Sequence, residues 1–365
     1  MRILVVNAGS SSLKLRLLDQ HDTLLRSEDL PAGPDGFDLA RLDGALGEWP
    51  VPDAVGHRVV HGGTDYTGPV RIDNKVRQRL AELTDLAPLH QPTSLAAIDA
   101  VTTRFPDVPA VACFDTAFHT TIPAAAATYP IPKEWRNRYA IRRYGFHGLS
   151  HAYCSRRAAE LVGLPLQGVR IVTCHLGAGA SLTAVAGGRS IDTTMGFTPL
   201  EGLVMATRSG TIDPGLLLWL EEHEHLTPHD IATTLEHHSG LTALAGTGDM
   251  RTIEAAAHRG EADATLALDV YTHRLAAGIA AMTATLGGLD ILAFTGGVGE
   301  NSPTIRQRAT ERLAFLGTAV DPARNTTAHG DTNITATGAP VHTLVIAARE
   351  DLQIAHETRH LLSSG

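Results

Sequence analysis

Two stretches of the chain, about half a chain apart, follow the same sequence pattern. Residues 3–15 form an apolar run, a turn of glycine and serine, and a second apolar run, and residues 170–185 repeat that order. The order predicts two β-hairpins. Small turn residues let backbone N–H groups approach an anion, so the pair suggests two related domains that grip one phosphorylated ligand between them. Either hairpin alone also fits a purely structural turn.

Length and charge narrow the class of protein. With 365 residues the chain is too long for one ordinary domain and long enough for two. Its 43% hydrophobic and 19% charged residues suit a globular protein with a sizeable core. The net charge of -9 argues against a nucleic-acid partner, which needs a basic patch, but a few arginines in a cleft still suit an anionic substrate.

The cysteines and the apolar runs predict a location. Cys113, Cys154 and Cys174 are odd in number and lie in apolar or helical surroundings, so we expect reduced thiols and a cytoplasmic protein. No apolar run reaches the length needed to cross a membrane. No leader pattern precedes the first strand, so we expect neither a signal peptide nor a membrane partner.

Short β-rich runs alternate with helical segments. The expected strands cover residues 54–60, 108–114, 171–174, 291–294 and 341–346. The expected helices cover residues 92–104, 150–161, 265–286 and 350–362, and two more begin at Pro214 and Pro303. This alternation predicts an α/β protein with mixed or largely parallel sheets.

Polar residues follow several of these strands. Because ligands of open α/β sheets bind beyond the carboxyl ends of the strands, the candidates are Asn7, Ser10, Ser12, Lys14, Arg58, Asp115, His175 and Glu350. The glycine-rich segment 296–299 suits a phosphate or an adenosine, or else a tight structural turn. It lacks the lysine of a Walker A loop.

Two further segments are compositionally unusual. Residues 194–215 form a long, mostly apolar loop with a single arginine, Arg208, among small neighbours. A guanidinium there suits phosphoryl oxygens, or clamps carbonyl oxygens at the surface. Residues 144–151 have the same character around His147, which fits either a ligand contact or a structural histidine.

Taken in order, these segments resemble the acetokinase family, the acetate kinases, within the superfamily of sugar kinases, actin and the large heat-shock ATPases. The resemblance spans nearly the whole chain and is most specific at 141–151 and 195–215. It implies two related actin-like (ribonuclease H-like) domains with mixed sheets flanked by helices and a cleft between them. The expected first domain is 1–119 with 352–365, and the second, 120–351, carries the nucleotide site.

The resemblance implies reversible transfer of the ATP γ-phosphoryl group to acetate, giving acetyl phosphate and ADP, in the setting of acetyl-CoA biosynthesis. A carboxylic acid has a pKa of roughly 4, so acetate is already ionised and needs no general base. We therefore expect direct in-line transfer without a phosphoenzyme. Propionate kinase, a donor such as pyrophosphate, and an actin-like or regulatory nucleotide-binding protein without catalysis stay open as alternatives.

The resemblance also implies roles for individual residues. The catalytic group is Asp115, Arg58, Arg208 and His147. The acetate site is Arg58, Val60, Leu89, Phe146 and Pro199. The nucleotide site is Lys14, Ser10, Ser12, His175, Leu176, Gly177, Asp249, Met250, Arg251, Gly296, Gly297, Val298, Gly299 and Asn301. Asn7 and Glu350 are expected to bind Mg²⁺, or Mn²⁺ in its place, and Glu350 is expected to do so through the water shell of the ion.

Departures from the family pattern concern the nucleotide most. Ala178 stands where the family has asparagine, which removes a side-chain donor near the nucleotide phosphates and raises the question of the phosphoryl donor. Arg349 replaces an asparagine before Glu350. We also expect a homodimer, formed through the long apolar helix at 265–286 or through an apolar loop face.

Overall fold

The structure, a computed structural model, describes residues 1–9, 12–33, 36–86 and 91–364. The chain divides into two compact units. The first unit is Met1–Thr120, His147–Tyr153 and Arg349–Gly365, and the second is Thr121–Phe146 and Cys154–Ala348. Compared with the expected division, the segment around His147 and the residue Glu350 lie in the first unit.

The described part of the chain forms seven strands before residue 115 and six after residue 169. They are β1 (Ile3–Ala8), β2 (Ser12–Leu18), β3 (Leu24–Gly33), β4 (Gly36–Phe37), β5 (Ala54–Val59), β6 (Val70–Arg71), β7 (Ala110–Phe114), β8 (Arg170–Leu176), β9 (Ala180–Ala186), β10 (Arg189–Thr193), β11 (Ile291–Thr295), β12 (Thr332–Asn333) and β13 (His342–Val345).

Helices fill most of the intervals between the strands. They are α1 (Leu39–Gly47), α2 (Asn74–Glu82), α3 (Gln91–Arg104), α4 (Ala124–Ala127), α5 (Lys133–Arg138), α6 (Gly148–Leu161), α7 (Pro214–His223), α8 (Pro228–His237), α9 (Gly240–Ala245), α10 (Met250–His258), α11 (Ala262–Leu286), α12 (Gly296–Asn301), α13 (Pro303–Arg312), α14 (Pro322–Thr327) and α15 (Glu350–Ser363). In the described parts of the chain, no helix is both long and apolar enough to cross a membrane.

The two sheets repeat one topology. The first has the order β4-β3-β2-β1-β5-β7-β6 and the second β10-β9-β8-β11-β13-β12. In each, the hairpin is antiparallel (β1 with β2, β8 with β9), and its first strand continues through two parallel neighbours (β5 and β7, β11 and β13). The two predicted hairpins thus occupy equivalent places, and the expected fold class, α/β with two related mixed sheets flanked by helices, is confirmed.

Strand β1 lies at the centre of the first core because both of its faces are buried. Leu4 and Val6 pack in one cluster with Val101 of α3. Ile3 and Val5 pack in another with Ile354 of α15. In the second unit, every residue of β11 is buried. Parallel strands covered on both faces read as continuous apolar runs, which is why the sequence pattern located them.

One local element differs from the expectation. The glycine-rich segment expected as a turn is the short helix α12, and a second helix, α13, starts directly after Ser302. The Ser302 side chain accepts the backbone N–H of Ile305 at 3.0 Å, so it acts as the N-cap that separates the two helices. The expected start of α7, with Asp213 as N-cap and Pro214 first in the helix, is confirmed.

Candidate active site

Arg58 and Asp115 meet at the carboxyl end of two neighbouring parallel strands. Arg58 lies opposite Cys113 in the β5–β7 register, which brings the residue after β7 beside it. Its guanidinium donates from Nε to Oδ1 of Asp115 at 3.1 Å and from Nη2 to Oδ2 at 2.5 Å, and from Nη1 to the carbonyl of Ala8 at 3.0 Å. The arginine is therefore fixed from three directions.

The charges of this pair support each other. Asp115 is 1% exposed, and burial raises its pKa while the adjacent Arg58 guanidinium opposes that rise. Burial also disfavours the charge of Arg58, but Asp115 and Glu350 outweigh it and raise the pKa of the arginine. Arg58 is thus a permanent, oriented cation in the first unit.

Asp115 also holds the start of helix α6. Its carboxylate accepts the backbone N–H of His147, and its carbonyl accepts the N–H of Gly148 at 2.9 Å. A Cβ on Gly148 would lie 2.1 Å from that carbonyl oxygen, so only glycine fits. His147 itself has φ +57, a left-handed conformation that is uncommon for a residue with a side chain. One aspartate thereby places both an arginine and a histidine.

Two buried imidazoles lie behind His147. Its ring centroid is 6.4 Å from that of His151, and the His151 centroid is 5.8 Å from that of His119. Both of these histidines are fully buried. The three imidazole rings therefore form a row in the first unit.

Asn7 and Glu350 form the polar edge of the same unit. Asn7 Nδ2 donates to Oε2 of Glu350 at 2.8 Å, and Glu350 is the first residue of α15. Among the described residues, no group of three or more histidine, cysteine or acidic side chains is placed to hold a metal. An amide and a carboxylate suit Mg²⁺ that keeps its waters and is bound with substrate phosphates, so the donor set fits a hydrated ion.

Arg208 is the contrasting cation of the second unit. Its guanidinium Nη1 donates to the carbonyl of Pro199 at a long 3.4 Å and lies 3.9 Å from Sδ of Met205. Burial lowers the pKa of Arg208, and the charge of Glu236 opposes that shift. A half-buried guanidinium with such weak contacts can take up an anion, whereas the Arg58 guanidinium is held in place by Asp115 and Ala8.

The loop that carries Arg208 is braced by a half-buried polar cluster. Arg143 Nη2 donates to Glu201 Oε1 at 2.7 Å, and Tyr129 donates to the other oxygen of Glu201. The Tyr129 oxygen accepts the N–H of Phe197 at 3.0 Å. A Cβ on Gly196 would lie 1.8 Å from the Glu201 carboxylate. The cluster fixes the backbone on the N-terminal side of Pro199.

The tip of the second hairpin contacts both the arginine loop and α12. The carbonyl of Ala178 accepts the N–H of Ala206 at 3.0 Å. Gly296 has φ +78, and a Cβ there would lie 2.8 Å from the carbonyl of Leu176. A Cβ on Gly177 would approach the N atom of Gly297 to 4.0 Å. The structure thus brings together four of the residues predicted to bind nucleotide.

The predicted adenosine residues at 249–251 lie at the start of α10. Asp249 is the N-cap and accepts the N–H of Arg251 at 3.0 Å. The Arg251 guanidinium, 87% exposed, turns back onto the same carboxylate and lowers the pKa of Asp249, while Met250 is buried. Their role toward a nucleotide stays a prediction.

The remaining candidates are spread over both units. Ser10 and Leu89 lie outside the described residues. In the first unit, Val60 is buried, Ser12 is half-buried and Lys14 is exposed, opposite Asn7 in the β1–β2 register. In the second unit, Phe146 is buried, Pro199, His175 and Val298 are half-buried, Gly299 is buried and Asn301 is exposed.

The comparisons with known proteins decide the family. The sequence model of the acetokinase family matches residues 51–356. The chain belongs to the acetokinase family. An acetate kinase from Microcystis aeruginosa is 44% identical, with 99% of this chain and 100% of that one covered. The predicted family is confirmed.

Two solved structures of the acetokinase type share the fold closely. An acetate kinase from Porphyromonas gingivalis has a TM-score of 0.90 at 35% identity, and a propionate kinase from Francisella tularensis has a TM-score of 0.90 at 36% identity. Each comparison covers 99% of both chains. The fold of this chain is therefore that of solved acetokinases.

Several residues that shape the site of this acetokinase are not among the sequence predictions. Gly148 has a signal in the sequence, because a glycine directly after a candidate histidine at a helix start indicates a close approach. Tyr129 and Glu201 gave no signal, because their pairing joins positions far apart in the chain.

Proposed function

We propose that this acetokinase is an ATP-dependent acetate kinase, which reversibly transfers the γ-phosphoryl group of ATP to acetate and forms acetyl phosphate and ADP. Curated relatives named acetate kinase align with this chain over nearly their full length. The one from Clavibacter sepedonicus is 46% identical, with 98% of each chain covered. The observation that carries the proposal is the Arg58–Asp115–His147 arrangement.

The chemistry asks for fixed positive charge rather than for a base. Acetate is ionised near neutral pH because its pKa is roughly 4, and the obstacle is the repulsion between an anion and a polyanion. Oriented cations in a site poor in water stabilise the charge of the transferring group. We assign this work to Arg58 and Arg208, with His147 as a hydrogen-bond partner of the transferring phosphoryl group, and we assign to Asp115 the task of orienting Arg58 and the backbone at His147.

Asn7 and Glu350 would hold Mg²⁺. The ion supplies charge neutralisation on the phosphate oxygens when it is bound. Hydrogen bonding between the two side chains keeps them together before any ion arrives. Binding of Mn²⁺ with a nucleotide, followed by electron paramagnetic resonance, tests this assignment without turnover: Glu350→Gln should weaken Mn²⁺ binding.

The nucleotide is assigned to the second unit. The contacts between the tip of the second hairpin and α12 support this placement. Ala178 has no side-chain donor there, and its backbone carbonyl already accepts the N–H of Ala206. ATP is the proposed donor, and pyrophosphate is the competing donor because the asparagine side chain of the family is absent.

From the family pattern, we assign recognition of the acetate methyl group to Val60, Leu89, Phe146 and Pro199, of which Leu89 lies outside the described residues. One methylene changes binding by only about 1–3 kcal/mol, so propionate should react more slowly rather than not at all. The similarity to a propionate kinase structure makes propionate the one competing acceptor worth measuring.

We further propose a cytoplasmic homodimer. Helix α7 has no buried residue, and Leu216, Leu218 and Trp219 are exposed on it. Apolar side chains in such a run are typical of an interface. The long helix α11, by contrast, buries apolar side chains along its length, with Leu266 exposed. Three free, buried cysteines agree with a reducing compartment.

Formation of acyl hydroxamate tests the function directly. Acetate, propionate and butyrate are each paired with ATP, GTP and pyrophosphate, all with Mg²⁺. The highest kcat/KM for acetate with ATP supports the proposal. A preference for propionate would replace acetate as the acceptor, and a preference for pyrophosphate would replace ATP as the donor. If no pair yields an acyl phosphate, carboxylate kinase activity is refuted.

A further inference from the structure

Arg306 is a buried cation outside the groups assigned so far. Its side chain, on helix α13, is 1% exposed and is among the largest fully buried side chains of the described residues. Its hydrogen bonds go to carbonyl oxygens and one amide oxygen rather than to a carboxylate. Burying a guanidinium in this way is costly unless each N–H finds an acceptor, so the arrangement calls for a reason.

The guanidinium joins two helices. Nη1 donates to the carbonyls of Gly299 at 2.9 Å and Glu300 at 2.8 Å, near the end of α12. Nε donates to Asn325 Oδ1 at 2.7 Å and Nη2 to the carbonyl of Asn325 at 2.6 Å, in α14. Asn325 is itself buried and donates to the carbonyl of Pro303 at 2.9 Å. Arg306 therefore ties the carbonyl end of α12 to α14.

Helix α12 needs an anchor of this kind. It has six residues, and Gly296, Gly297 and Gly299 are three of them. Glycine is a poor helix former, and so short a helix does not hold itself together. A cation near the carbonyl end of a helix is favourable, since the last carbonyls there lack partners within the helix.

A better helix former cannot replace Gly296. This residue has φ +78, and a Cβ there would lie 2.8 Å from the carbonyl of Leu176. The close approach to the second hairpin thus excludes a side chain at the first position of α12, and contacts from outside the segment have to add to its stability. The charge that supplies it persists at neutral pH, because burial lowers the pKa of Arg306 only to about 10, against the opposing effect of Glu254.

We infer that Arg306 is a positioning residue for the nucleotide, which holds the glycine-rich helix α12 in the shape that binds ATP without touching the ATP itself. This inference rests on the proposed function, because it takes residues 296–301 as part of the ATP site. Loss of the Arg306 hydrogen bonds should weaken the binding of ATP and leave the binding of acetate unchanged.

The test compares two variants of Arg306 with a control on the same helix. Arg306→Lys keeps the charge but cannot reach both helices, and Arg306→Met removes the charge. Arg308→Gln is the control, since Arg308 pairs with Asp269. Binding of ATP with Mg²⁺ is measured by isothermal titration calorimetry, KM for both substrates by the hydroxamate assay, and folding by thermal unfolding.

For Arg306→Lys we expect the Kd of ATP and the KM for ATP to rise on the order of tenfold, as when one hydrogen bond to a charged group is lost. KM for acetate should stay within about twofold. Arg308→Gln should match the wild type. If Arg306→Met does not fold, the lysine variant decides, and Asn325→Ala should give a smaller shift in the same direction.

Two results overturn the inference. One is a folded Arg306→Lys that binds ATP as the wild type does. The other is an equal loss for ATP and acetate, which is the signature of a general structural role. Failure of the proposed function is seen separately, in wild-type protein that forms no acyl phosphate.

Discussion

Asp115 grips Arg58 through two parallel hydrogen bonds, from Nε to Oδ1 at 3.1 Å and from Nη2 to Oδ2 at 2.5 Å. Such a fork fixes the plane of the guanidinium as well as its place. Because the same aspartate also receives the backbone N–H of His147, its side chain sets two of the proposed catalytic groups at once.

Asp115→Asn should therefore lower kcat on the order of 10²-fold, the scale of a misplaced catalytic group. Steady-state hydroxamate kinetics measure it. Asp99→Asn is the control, because it breaks another two-bonded pair, with Arg77, away from the site. The pH–rate profile should keep its shape, since acetate needs no base. If the variant lost one limb of the pH–rate profile, the result would instead show that Asp115 accepts a proton.

Arg208→Ala should lower kcat on the order of 10³-fold or more, by analogy with arginines that stabilise a transferring phosphoryl group. Arg208→Lys should restore little, because an ammonium lacks the planar fork. Arg259→Ala, which breaks an exposed pair with Glu261, serves as the control in the same assay. Near-native turnover of Arg208→Ala would remove this residue from the mechanism.

Gly148→Ala should destabilise the first unit by about 1–3 kcal/mol, the usual cost of forcing atoms into a packed site, because the new Cβ meets the Asp115 carbonyl at 2.1 Å. Urea unfolding gives the free energy, and kcat should fall in the variant as His147 shifts. Gly168→Ala is the matched control, with no atom within 4 Å of its Cβ. Equal stability of the two variants contradicts the steric argument.

Two buried histidines should make stability depend on pH. Burial lowers the pKa of His57 to about 3, against the opposing charge of Asp99, and lowers that of His61 to about 4. In the unfolded chain these two imidazoles bind protons once the pH falls below the ordinary histidine pKa of about 6.5. In the folded chain they do not, because their pKa values are lower. Stability is therefore full above that value and falls as the pH drops toward 4.

Urea unfolding between pH 7.5 and 4.5 checks this. Replacing His57 with leucine should reduce the slope of the unfolding free energy against pH by up to about 1.4 kcal/mol per unit. His360→Leu, at an exposed position, should not. An unchanged slope in the His57 variant means that this imidazole gains its proton in the folded state as well.

Leu218→Asp should turn the proposed dimer into a monomer. The substitution places a charge on the exposed apolar run of α7, and an unpaired charge in an interface core is strongly unfavourable. Light scattering after size-exclusion chromatography reports the mass. Phe315→Asp is the control, since Phe315 is 76% exposed elsewhere in the second unit. A wild-type monomer, or a dimeric Leu218→Asp, refutes α7 as the interface.

Strand positions were predictable because local pattern and burial agree. The apolar runs around Val5 and Leu292 are covered on both faces, so composition alone located them. Parallel pairing of β5 and β7 also follows from the alternation of elements, which is why Arg58 and Asp115 were both candidates before their contact was known.

What pattern could not supply is contact between distant segments. The carbonyl of Ala8 that holds Arg58 and the approach of Gly148 to Asp115 join positions far apart in the chain, and the bond of Arg306 to Asn325 joins α13 to α14. The helix at 296–301 was missed for a related reason. Its glycines favour a turn, and tertiary contacts override that preference.

The outermost strands carry a consequence for behaviour in crowded solution. Three of the four outermost strands, β4, β6 and β12, have two residues each, and the fourth, β10, has five. Because β4 pairs with only Ala32 and Gly33 of the ten-residue β3, β3 forms most of that edge of the first sheet. A long unpaired edge is a template for pairing with another chain, so strand addition along β3 is the expected route of association at high concentration during refolding.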